Sequence, residues 1–124
     1  MSLCSVDSAA FLLLHRESLL EEGGEAGGIS EEKLDAALAY PLREARLTIP
    51  DVAALAAAYA VGMLRYRPFA NGNQRAALLA LGLFLYSNDW RLEATQEEAT
   101  AAIRRLDCGE MNEDELANWV RKNL

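Results

Sequence analysis

Residues 76–86 read AALLALGLFLY, an apolar run without a charged side chain. A helix that is apolar on every side belongs in the middle of a domain, because each of its faces needs an apolar neighbour. No stretch of the chain alternates polar and apolar residues for long enough to build a sheet. The run therefore predicts an all-α fold around one central apolar helix, at about residues 72–87.

The segments before this run have helical spacing and recognisable ends. Residues 8–22 predict a first helix, which the following glycines stop, and residues 30–40 predict a second helix that Pro41 ends. Thr48, with Asp51 three residues later, resembles a capping box that opens a third helix. That helix is rich in alanine and contains a glycine, so a neighbouring helix could approach its backbone closely.

Capping signals also follow the apolar run. Thr95 with Glu98 fits a capping box for a fifth helix that extends to about Leu106, and Asn112 caps a last amphipathic helix. The chain is thus expected to form five or six helices. Its 124 residues and 13.6 kDa correspond to one domain, residues 1–124.

The composition excludes several classes of protein. No apolar stretch reaches the ~18 residues needed to cross a bilayer, and the N-terminus lacks the basic-then-apolar pattern of a signal peptide. The two cysteines, Cys4 and Cys108, make neither a disulfide framework nor a metal-binding pair. We expect a cytoplasmic protein that does not bind a membrane.

Charge is unevenly distributed along the sequence. The formal net charge of −7 opposes direct contact with nucleic acid. Between Asp51 and Asp89, however, there is no acidic residue, and the charged residues there are Arg65, Arg67 and Arg75. This is either a locally electropositive stretch or simply an apolar segment with few charges.

The segment RPFANGNQR, residues 67–75, lies where the central helix begins. The first N–H groups of that helix, at Gly72, Asn73 and Gln74, would point outward from its positive end and could bind an oxyanion. Arg75, one turn inside, adds a guanidinium that holds phosphate or carboxylate with two hydrogen bonds. The alternative is a tight turn between helices, with Asn71 as the cap.

RPFANGNQR resembles the Fic/Doc family signature H-P-F-x-[DEN]-G-N-x-R, with matches that include Pro68, Phe69, Gly72, Asn73 and Arg75. The remainder is similar to the smaller Doc (death-on-curing) branch. The similarity includes His15 with the following glycines, the segment 34–41, and the tail that starts at Asp107.

This resemblance implies an all-α Fic fold and a nucleotide-dependent transferase that modifies a protein hydroxyl. In Doc toxins the implied reaction is a kinase reaction, phosphorylation of elongation factor Tu, and in Fic relatives it is usually adenylylation. ATP or another nucleotide, Mg²⁺ and a small antitoxin partner are also implied. Carried over by position, the catalytic residues are Arg67, Asn73 and Arg75, and the nucleotide phosphates would be bound by residues 71–75: Asn71, Gly72, Asn73, Gln74 and Arg75.

Two residues depart from the family pattern. Arg67 stands where the family has its catalytic His, and Asn71 stands where it usually has a Mg²⁺-binding acid. An arginine, with a pKa above about 12, cannot accept the proton of a target hydroxyl. Three explanations stay open: a natural pseudoenzyme, an enzyme with different chemistry, or an inactivated variant.

The remaining candidates are weaker. Gln74 fills the variable position of the signature and selects neither phosphorylation nor adenylylation. His15 is the only histidine and lies in a leucine-rich run. We interpret it as making a local polar contact or lying at the rim of the groove, rather than acting as a substitute base.

Overall fold

The structure is a computed structural model that describes residues 4–21, 28–45 and 51–124. Within these residues the chain forms six helices, which confirms the all-α prediction: α1 (Ser8–Glu21), α2 (Glu31–Ala45), α3 (Val52–Tyr66), α4 (Asn73–Ser87), α5 (Gln96–Asp107) and α6 (Glu113–Lys122). The one β-type pairing among them is an isolated antiparallel bridge between Ile29 and Phe69. No helix in the described part of the chain is both long and apolar enough to span a membrane.

The core is built mainly around α3 and α4. Helix α3 packs against α2, α4, α5 and α6, and its alanines allow close approach. Helix α4 buries one side, which includes Ala76, Ala80 and Phe84, but Leu79 and Leu83 on another side are only half-buried. The prediction of a helix covered on every side is therefore met in part, and the uncovered side of α4 lines a groove.

Helix α2 does not end at Pro41, as the sequence predicted, but continues to Ala45. Pro41 has no N–H, so it cannot donate to the carbonyl of Ala37 one turn earlier. That carbonyl faces α3 at Gly62, where an added Cβ would lie 2.5 Å from the Ala37 oxygen. The proline is tolerated because the missing helical bond coincides with a close contact between two backbones.

The N-cap of α3 is Asp51, whose carboxylate accepts a hydrogen bond from the amide of Ala54 at 2.8 Å. Thr48, the predicted cap, lies outside the described residues. Arg121 of α6 also binds the Asp51 carboxylate, at 2.8 Å, and this hydrogen bond lowers the pKa of Asp51. The capping box predicted at Thr95 is confirmed, and so is Asn112 as the cap of the last helix, where the structure shows a capping box with Glu115.

Replacing Gly62 by alanine should destabilise the protein, because the new methyl group would meet the Ala37 backbone, which cannot move aside as a flexible side chain could. We expect Gly62→Ala to lower the free energy of unfolding by about 1–3 kcal/mol, measured by urea denaturation. Gly82→Ala in α4 is the matched control, since nothing lies within 4 Å of its Cβ position. It should be neutral or stabilise by up to about 1 kcal/mol. Equal losses in both variants would contradict the close contact.

Candidate active site

The loop that joins α3 to α4 begins and ends with left-handed backbone. Arg67, the C-cap of α3, has φ 45° and donates its amide to the Met63 carbonyl at 2.9 Å. Gly72, the N-cap of α4, has φ 80°, a conformation that favours glycine. These two residues reverse the chain within a few positions, so that the motif segment lies at the N-terminal end of α4.

The side chain of Asn73 fixes the shape of this loop. Its Oδ1 accepts a hydrogen bond from the Phe69 amide at 3.1 Å, and its Nδ2 donates to the Phe69 carbonyl at 2.8 Å. Asn73 is buried, and both ends of its amide are used inside the loop. The predicted contribution of Asn73 to phosphate binding would therefore come from its backbone amide.

The other edge of the loop pairs with the segment before α2. The Ser30 amide donates to the Pro68 carbonyl at 2.8 Å, and the Ala70 amide donates to the Gly28 carbonyl at 2.9 Å. These bonds flank the bridge between Ile29 and Phe69. The loop is thus held from both sides, by Asn73 at the start of α4 and by residues 28–30 across from it.

His15 of α1 lies against this loop and not at the rim of the groove. Its ring stacks on Phe69, with 4.0 Å between the ring centroids, and it is 4% exposed. Burial lowers the pKa of His15 below its usual value, and the positive charge of Arg75 lowers it further. The expected local polar contact is not found at Nε2, which has no hydrogen-bond partner among the described residues.

Arg67 is engaged by a residue that the sequence reasoning did not select. Its Nη1 lies 3.1 Å from Oδ1 of Asp107, at the end of α5, and Gln74 donates to the other oxygen of that carboxylate at 2.8 Å. Asp107 thereby links Arg67, the residue before Pro68, to Gln74 in the first turn of α4. Nothing local in the sequence marks Asp107 for this role, because the contact depends on how α5 packs against α4.

Arg75 lines a groove that starts at the loop. A space of about 460 Å³ is bounded by Gly72, Gln74 and Arg75 together with residues of α5. It adjoins a larger, mainly apolar space of about 530 Å³ between α1, α4 and α5, whose lining also includes Arg75 and extends to Tyr86. A cation and the exposed Gly72 therefore face the same groove.

The amides at the start of α4 are placed to bind an anion. The first helical hydrogen bond of α4 is donated by Ala76 to the Gly72 carbonyl at 2.9 Å, so the amides of residues 73–75 have no acceptor within the helix. The cap is Gly72 and not Asn71, and no side chain caps this end. The alternative of a tight turn capped by Asn71 is therefore wrong about the capping residue.

The comparisons with known proteins agree with this geometry. The model of the Fic/DOC family matches residues 5–85, from the end of the N-terminal segment through most of α4. The chain belongs to the Fic/DOC family. A comparison with curated proteins found no match. The matched range contains the loop between α3 and α4, residues 67–72, which we call the Fic/DOC loop. It also contains His15 and Arg75, whereas Asp107 lies beyond it.

The described residues around the loop do not fit a protein-bound Mg²⁺. Proteins usually hold this ion with one or two carboxylates together with substrate phosphates. Asn71 is exposed and offers an amide, and the Asp107 carboxylate that reaches the Fic/DOC loop is already engaged by Arg67 and Gln74. Among the described residues no three His, Cys, Asp or Glu side chains form a group that could hold a metal.

Removing the side-chain amide of Asn73 should destabilise the whole fold as well as the loop. In Asn73→Ala the Phe69 amide and carbonyl lose their partners in a buried place, and we expect the free energy of unfolding to fall by about 2–4 kcal/mol in urea denaturation. Asn71→Ala, two positions away and exposed, should change it by less than about 0.5 kcal/mol. Similar stability of the two variants would show that the two hydrogen bonds between Asn73 and Phe69 do not stabilise the fold.

Proposed function

We propose that the protein is a nucleotide-dependent transferase of the Fic/DOC type, the death-on-curing-type toxin component of a toxin–antitoxin system. Its reaction would transfer a phosphoryl or nucleotidyl group to a protein hydroxyl, such as one on elongation factor Tu. One observation carries this proposal: the exposed N-cap Gly72 and the first-turn residues Gln74 and Arg75 of α4 line one groove.

The residues of this groove suit the binding half of such a reaction. Phosphoryl transfer depends largely on positioning and on electrostatic stabilisation of the phosphate oxygens. The amides of residues 73–75 and the Arg75 guanidinium provide both for a tetrahedral anion. The adjoining apolar space between α1, α4 and α5 gives room for the remainder of a nucleotide or for a peptide.

We propose that the chain is impaired in the other part of the reaction, the removal of the proton from the attacking hydroxyl. Arg67 occupies the position of the family His, and its guanidinium is paired with Asp107. A guanidinium stays protonated at physiological pH, so it cannot take the proton of an attacking hydroxyl. Transfer would then rely on positioning alone and would be slow.

Restoring an imidazole tests this proposal directly. Arg67→His, incubated with ATP, Mg²⁺ and elongation factor Tu, should transfer the labelled group about 10²–10⁴ times faster than the unaltered protein, because a placed general base contributes that much. Arg67→Gln is the matched control, since it removes the charge without supplying a base, and it should stay slow. If Arg67→His modifies no protein and does not slow growth of cells that express it, the transferase proposal is wrong.

A second candidate is a non-catalytic member of the family that binds an antitoxin peptide or a phosphate ligand. Arg67 and Gln74 both donate hydrogen bonds to the Asp107 carboxylate. This contact favours the non-catalytic candidate, because it turns two polar side chains near the loop toward Asp107 and away from a reacting group. Exposed apolar side chains along the larger groove, such as Tyr86 at 77% exposure, would suit an amphipathic helix.

Calorimetric titration distinguishes the two candidates. ATP, with and without Mg²⁺, and the peptide encoded beside this gene are the ligands to compare. For the binding module we expect heat of binding without any transferase activity in Arg67→His, and loss of ATP binding in Arg75→Ala. Failure to bind either ligand would remove this second candidate.

A further inference from the structure

His15 has a buried nitrogen that the fold leaves without a partner. The ring is 4% exposed and is packed against two phenylalanines, Phe11 on its own helix and Phe69 in the Fic/DOC loop. Its Nε2 makes no hydrogen bond within the described residues. Buried polar groups in native proteins are nearly always satisfied, so this nitrogen calls for a partner outside the described residues, such as a water molecule or a ligand.

The position of Nε2 indicates where that partner would lie. The atom nearest to where a Cβ of Gly72 would be is His15 Nε2, at 4.0 Å. Gly72 is exposed and borders the same groove as Arg75. His15 lines neither space of the groove, and its ring nitrogen is buried beside Gly72, the N-cap of α4. Because glycine has no side chain, no atom beyond the backbone of residue 72 separates the ring nitrogen from the start of the helix.

We propose that His15 is a ligand-binding residue, whose Nε2–H donates a hydrogen bond to an oxyanion held at the start of α4 by the helix amides and Arg75. The ligand class is a tetrahedral dianion such as the phosphate group of a nucleotide. This inference rests on the proposed function, because it adds a donor to the same anion site.

Such a contact makes anion binding depend on pH. Without an anion, burial and the charge of Arg75 keep the ring neutral at physiological pH, since both lower the pKa of His15. A bound dianion offsets the charge of Arg75 and favours the protonated ring, so the pKa of His15 rises in the complex. Binding is then strengthened as the pH falls and loses this contribution as the pH rises through the pKa of the complex. Arg75 is the charged side chain that acts on His15 from α4, and the α1 and loop neighbours, Phe11 and Phe69, do not titrate.

Sulfate is the appropriate probe, because it remains a dianion between about pH 5 and pH 8, the range in which histidine changes charge. Its affinity is measured by calorimetry across this range, with ionic strength held constant by chloride. The ring proton of His15, the only histidine, is followed by NMR in the absence and presence of sulfate. We expect affinity about tenfold higher at the acidic end, and a rise of about one unit in the pKa of His15 on binding, since linkage requires the two effects to agree.

Two substitutions separate the hydrogen bond from the packing of the ring. His15→Phe keeps an aromatic ring to stack on Phe69 but removes the donor, and its sulfate affinity should be low and nearly independent of pH. His15→Gln keeps a donor without a titrating ring, so it should bind independently of pH but more tightly than His15→Phe. Circular dichroism shows whether each variant is folded, and the NMR titration of the unaltered protein needs no variant.

The outcomes distinguish this inference from the proposed function. If sulfate binding is lost in Arg75→Ala but is equally strong and equally pH-dependent in His15→Phe, the role of His15 is wrong and the anion site stands. An unchanged pKa of His15 in saturating sulfate would also show that His15 does not bind the anion. If the unaltered protein binds no sulfate at any pH, or if binding is unaffected by Arg75→Ala, the anion site itself is wrong and both proposals fail.

Discussion

Two hydrogen bonds between the Asn73 amide and the backbone of Phe69 determine the geometry of the whole site. An amide is the side chain that donates at one end and accepts at the other, so it can pair with both backbone groups of one residue. With Phe69 fixed, its ring supports His15 on one side and its backbone bridges to Ile29 on another. The start of α4 is left open to the groove because the loop is satisfied internally.

This arrangement also explains how an acidic protein presents a cationic site. The sequence between Asp51 and Asp89 contains three arginines without an acidic residue, but they have different surroundings in the fold. Arg65 lies over the ring of Tyr40, 4.9 Å from its centroid, and Arg67 pairs with Asp107. Arg75 lines the groove. The three arginines of the positive stretch thus lie in three different places, and Arg75 is the one in the first turn of α4.

The sequence was a good guide where structure is determined locally. The capping box at Thr95 and the cap at Asn112 were both predicted, because each depends on residues within four positions of one another. Pro41 was misread because its cost is offset by contact of α2 with α3, which no local pattern contains. The turn between α3 and α4 was predicted from its residues and from its resemblance to a family signature, and its role in binding an anion stays a prediction. Asp107 was missed because it is 40 residues from Arg67 in sequence and meets it only through the packing of α5.

The surroundings of Asp107 indicate that the fold does not require an arginine at position 67. Its carboxylate is held by Gln74 as well as by Arg67, so it keeps a partner whatever residue stands at 67. The Arg67 side chain is half-exposed, and such ion pairs stabilise proteins by no more than about 1 kcal/mol. The left-handed backbone at 67 is set by the end of α3 and does not require an arginine. The fold therefore depends little on the side chain at position 67, where the family signature has a histidine.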